Sequence, residues 1–122
     1  MRAIVLAALV TCGSLAAEAH HSAVLFDLTK TVTLMGTMTE VDWRNPHVFI
    51  SLDVRSETGR PDAWKLETGA PSWFRTRTFG KKEFESGIGR PVTVQVVRAK
   101  DGSLYGYLYR ITFDDGRSAD LR

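Results

Sequence analysis

The chain has 122 residues, and 16 Lys and Arg against 14 Asp and Glu leave a formal charge of +2. That length fits one domain. The charge balance is far from the strongly basic excess of a nucleic-acid binder, and a single cysteine rules out a disulfide framework within the chain.

Met1-Arg2 gives a positive start, Ala3 to Val10 is apolar, and Ala17-Glu18-Ala19 puts small residues where a signal peptidase cuts. This layout predicts a secretory signal over residues 1–19. Its apolar run is too short for a stop-transfer helix, so no stable membrane insertion is expected after cleavage. A cut after Ala17 is the alternative to a cut after Ala19. Cys12 is a poor lipid-attachment site, because Thr11 precedes it where glycine or alanine is wanted. The expected location is the bacterial periplasm or the medium. There a domain without disulfides must be held by its core, which is feasible at about a hundred residues.

Residues 20–30 are irregular and predict an arm, with Phe26 and Leu28 as anchors. The domain proper is expected over 31–117. Its first strand runs from Thr31 to Trp43, where Val32, Leu34, Gly36 and Met38 alternate and Val41 and Trp43 fall out of phase. That slip predicts a bulge near Thr39-Glu40, and Gly36 suits the bend of a small barrel. A second strand, His47 to Arg55, puts Val48, Ile50, Leu52 and Val54 on one face and leaves His47 outward. Thr58-Gly59 marks a hairpin loop, followed by a short third strand from Ala63 to Thr68. Pro71 opens a helix expected over Trp73 to Phe79, and Lys81 to Ser86 makes a further partial turn.

Val92, Val94 and Val96 alternate as strand four, and Asp101-Gly102 signals the next hairpin. Strand five, from about Leu104 to Phe113, is expected to place Tyr105, Tyr107, Tyr109, Ile111 and Phe113 on one face. Residues 118–122 are a polar tail. Three strands, a short helix and two more strands predict a mainly β fold, a small five-stranded OB-like Greek-key barrel with one short helix between strands 3 and 4. A β-sandwich is the alternative.

The candidate chemistry rests on His20, His21 and His47, the three histidines of the chain. A chain starting at His20 offers an α-amine and an imidazole to one metal ion. His47 would complete a nitrogen-only set, which suits Cu(II), with His21 as a spare ligand or as part of a tetrahedral Zn site. Asp27, Glu40 and Asp53 are candidates to support a ligating histidine. The bland alternative makes His47 a hydrogen-bond donor across the Trp43 corner and His20-His21 a chain tip.

Trp43, Arg44, Asn45, Phe49 and Trp73 form a candidate ligand or partner surface, with Arg44 over the Trp43 ring. More often such a corner is structural. The basic residues around the helix could accompany base stacking, but the export signal and the small net charge argue against nucleic acid and favour a glycan or an envelope protein. No catalytic constellation is recognised: Gly87-Ile88-Gly89 opens a strand rather than a phosphate-binding helix, and no two carboxylates are paired by spacing.

Ala19-His20-His21-Ser22, Phe26-Asp27, Gly36-Thr37, Val41-x-Trp43-x-Asn45-Pro46-His47, Trp64, Gly69-x-Pro71, Arg98-Ala99-Lys100-Asp101-Gly102 and Asp115-Gly116-Arg117 resemble a family of small exported bacterial proteins known only as a domain of unknown function. Ala23 departs from it where phenylalanine is usual. The resemblance implies an envelope location and a small OB-like barrel, and it brings no activity. The expected function is a periplasmic binding protein, taking copper through an N-terminal histidine and His47. The alternative is a metal-free module for a glycan or envelope partner.

Overall fold

The alternation of apolar residues builds a mainly β protein, whose computed structural model describes residues 25–122. The expected signal peptide, Cys12, His20 and His21 lie outside the described residues. The strands are β1 (Phe26–Trp43), β2 (Val48–Arg55), β3 (Pro61–Glu67), β4 (Pro91–Ala99), β5 (Tyr105–Phe113) and β6 (Ser118–Asp120), with the helix α1 (Lys81–Glu85) between β3 and β4. The sheet order is β3-β2-β1-β4-β5-β6, and a further contact joins β3 to β5. Neighbours along that order are antiparallel, whereas β3 and β5 run parallel. No helix among the described residues is long and apolar enough to cross a membrane.

β1 shows how the pattern becomes shape. The pairing with β2 shifts between Met38 and Glu40, at the expected bulge. At Gly36 a Cβ would stand 2.6 Å from the Asp53 carbonyl oxygen, so only glycine allows β2 to cross this closely. Val48, Ile50, Leu52, Trp64, Leu66, Val92, Val94 and Val96 join Met38 in one buried cluster, closed by Phe74, Phe84 and Phe113. Fully burying one such side chain contributes about 1.5–3 kcal/mol.

Four expectations are corrected. β1 begins at Phe26, so the second half of the predicted arm belongs to the sheet; Phe26 is buried there while Leu28 is exposed. The predicted helix over Trp73 to Phe79 is a 3₁₀ turn at Pro71–Phe74, because β-branched Thr76 and Thr78 favour helix poorly. The regular helix is instead α1, and its start is fixed by the Gly80 N–H donating to Glu83 Oε2 at 2.8 Å. The supposed polar tail contains β6, since Ala119 and Leu121 are buried, making six strands among the described residues.

The fourth concerns β5. Gln95 pairs with Arg110 but Val96 with Leu108, so Tyr109 is an extra residue that reverses the alternation. Leu108, Ile111 and Phe113 reach the main core, while Tyr105, Tyr107 and Tyr109 pack with Phe26, Val97 and Ala99 in a separate outer cluster.

Candidate functional site

The outer cluster leads to His47. Past the end of β3 the ladder to β2 continues, with the Thr68 N–H donating to the Val48 carbonyl at 2.9 Å and the Val48 N–H to the Gly69 carbonyl at 3.0 Å. This holds His47 beside Glu67. Nδ1 of His47 lies 3.2 Å from the Thr68 carbonyl oxygen and 3.4 Å from Glu67 Oε1. A carbonyl and a carboxylate only accept, so the Nδ1 between them carries the ring proton. In the neutral ring the lone pair is then on Nε2, which has no partner among the described residues. The His47 side chain is 37% exposed against 10% for Glu67, which makes the imidazole the reachable member of a carboxylate–histidine pair.

Glu67 sits between two strands, in register with Phe49 of β2 and Tyr107 of β5. A buried carboxylate is costly unless its oxygens are hydrogen-bonded. Its second oxygen, Oε2, accepts from the Tyr105 hydroxyl. Burial first, then that hydrogen bond and the Glu67 charge, push the Tyr105 phenol above its ordinary range, so it stays a donor. Tyr107 is raised too, by burial first and then by the charges of Glu67 and Tyr109. Phe26 stacks on Tyr105 with ring centres 5.5 Å apart and meets Tyr107 edge-on at 5.9 Å. Phe26, Tyr105, Glu67 and His47 thus touch in series. Beside them Thr68 Oγ1 is buried without a hydrogen-bond partner among the described residues.

Of the predicted ligands only His47 is described, on the outward side of β2 as expected; His20 and His21 lie outside the described residues. The chain enters next to the cluster, where the Leu25 carbonyl accepts from the Lys100 N–H at 2.9 Å. Among the described residues no three His, Cys, Asp or Glu are grouped to hold a metal ion. The supporting carboxylate is Glu67 rather than Asp27, Glu40 or Asp53; Asp27 is taken up by Thr29 and Lys30. A sequence signal for Glu67 existed. Folding the chain back about Thr58 puts Phe49 opposite Glu67 and His47 just beyond it.

The proposed partner surface is spread out. Trp43 packs inward against Phe74 and Phe84, at 4.9 and 5.9 Å between ring centres. Arg44 does not cover the Trp43 ring but pairs with Asp42 at 2.9 Å, and Asn45 is exposed. Lys65 lies 4.4 Å over the Phe49 ring and Arg77 3.2 Å over the Trp73 ring, so a cation already covers one face of each. Phe49 is in register with Glu67 and so adjoins the His47–Glu67 pair.

A family model described as "Family of unknown function (DUF6152)" matches residues 7–108. The chain belongs to this family. The DUF6152 match takes in His20, His21, Phe26, His47, Glu67 and Tyr105, and it stops within β5, before β6. No curated protein and no solved structure matches the chain.

Proposed function

We propose that this DUF6152 protein is an exported, periplasmic binding protein that captures a copper ion between His47 and a processed N-terminus at His20, with His21 as a further donor. One observation carries the reading. His47 is held through Nδ1 by a carbonyl and a buried carboxylate, its side chain is 37% exposed, and Nε2 has no partner among the described residues. Ligating histidines are typically oriented in this way, through the nitrogen that does not bind the metal. An amine and imidazoles form a nitrogen set that favours Cu(II) by geometry and by the order of divalent affinities.

Reach supports the same reading. His21 lies four residue steps before Leu25 along the chain, an extended span of about 14 Å, and Leu25 pairs with Lys100 beside the Phe26 cluster. The fold is read as an OB-like barrel, supported by the series of pairings β1–β2–β3–β5–β4 that returns to β1, with β6 added outside it.

The test is purification after native export, mass spectrometry of the first residue, and Cu(II) titration followed by EPR. Stoichiometric binding that drops sharply in His47→Ala is the expected result. Equal binding in His47→Ala, or binding indifferent to an extra residue ahead of His20, overturns the reading.

A further inference from the structure

We infer that Glu67 and Tyr105 are positioning residues for His47 and that Phe26 seats the pair, so that docking of the first strand and presentation of Nε2 are linked. The inference extends the copper reading to the control of the same site, and its metal arm rests on that reading.

Each contact in the series has a separate job. The Thr68 carbonyl and Glu67 Oε1 both face the His47 Nδ1–H. A carboxylate can serve that N–H steadily only if its own orientation is fixed, and the Tyr105 hydroxyl does this from Oε2. Tyr105 in turn could swing off Glu67 if its ring face were open. Phe26, 1% exposed, closes that face.

The seat of Phe26 is also set apart from the rest of β1. Phe26 pairs with Ala99 while Thr31 pairs with Val97, so extra residues of β1 loop out between the two pairings. Asp27 steadies that loop by accepting from Thr29 and pairing with Lys30 at 3.3 Å. Phe26 is therefore held by its own contacts with β4 and the tyrosines, and can leave without unzipping the main β1–β4 ladder.

The experiment uses the exported protein, free of metal, with ¹⁵N-labelled histidine, above the pH at which imidazole titrates. Wild-type His47 is expected to show two widely separated ring-nitrogen resonances, a protonated Nδ1 and a bare Nε2. In Glu67→Ala they move toward each other as the second tautomer is populated. Tyr105→Phe, which keeps the ring and the fold, and Phe26→Leu move them the same way by less. Cu(II) binding by Glu67→Ala is expected to weaken about 10–100-fold, and Glu67→Gln, which retains an acceptor oxygen, restores much of it.

Wild-type resonances in folded Glu67→Ala and Tyr105→Phe overturn the inference, even where copper binds. Wild-type resonances in Phe26→Leu alone remove the seating role. Shifted resonances in a protein that takes no copper leave the positioning role standing and remove the copper reading.

Discussion

Two aromatic clusters in this protein are put to different uses. Under α1, Trp43, Phe74, Phe79 and Phe84 meet edge-on or tilted, with ring centres 4.9 to 5.9 Å apart and the Trp43 indole N–H as the one polar group on the four rings. On the outer face Phe26, Tyr105 and Tyr107 pack at similar distances, but two of these rings carry hydroxyls and one of those ends on a buried carboxylate. The first cluster stabilises the fold. The second spends its packing on holding a polar chain in one arrangement, and that chain ends at a reachable imidazole. Rings without polar atoms tolerate any neighbour of the right volume; a carboxylate between a phenol and an imidazole does not.

The difference can be broken from either side. Phe84→Ala in the inner cluster has the largest expected effect, a loss of about 3–5 kcal/mol in denaturant unfolding. Wherever the variant is still folded, the His47 resonances stay at their wild-type positions, and a change there contradicts the separation of the two clusters.

Tyr105→Phe comes next. Loss of a half-buried hydrogen bond to a carboxylate costs about 1–2 kcal/mol, at the low end for bonds to charged groups because solvent screens it. Its pH dependence has a definite sign. The phenol is raised in the folded state, so its contribution is complete below the unfolded value of about 10 and is lost as pH climbs toward the folded one. The stability gap between wild type and Tyr105→Phe should therefore shrink in urea titrations above that pH. A gap that widens with rising pH contradicts the account. The smallest effect belongs to Arg44→Ala, whose exposed pair with Asp42 is worth no more than about 0.5 kcal/mol. Denaturant unfolding checks this, and a loss several times larger would contradict the reading of Arg44–Asp42 as a solvent-screened surface pair.

Much of the β framework was legible because alternation is local. The β1 bulge, the β2 face and the Asp101-Gly102 turn follow from residues a few positions apart, and Gly102 has the positive φ of 79° that such a turn needs. β5 misled because its odd-numbered positions are all aromatic or aliphatic, and only pairing with β4 reveals the extra residue at Tyr109. β6 was hidden by its polar flanks around Ala119 and Leu121.

The site divides the same way. His47 is visible in the sequence as an outward histidine after proline. Glu67 could be reached only by folding the β2–β3 hairpin back in register, since by itself it looks like an ordinary outward acid on a short strand. Tyr105 is not visible, because it comes from β5 through the parallel contact of β3 with β5 that no local pattern announces.

The most direct measurement is pulsed EPR of the Cu(II)-loaded exported protein with ¹⁵N-labelled histidine, recorded for wild type and His47→Ala. Couplings from imidazole nitrogens that include a share lost in His47→Ala are the predicted result. Identical spectra from the two proteins would mean that the imidazole held by Glu67 does not bind the ion.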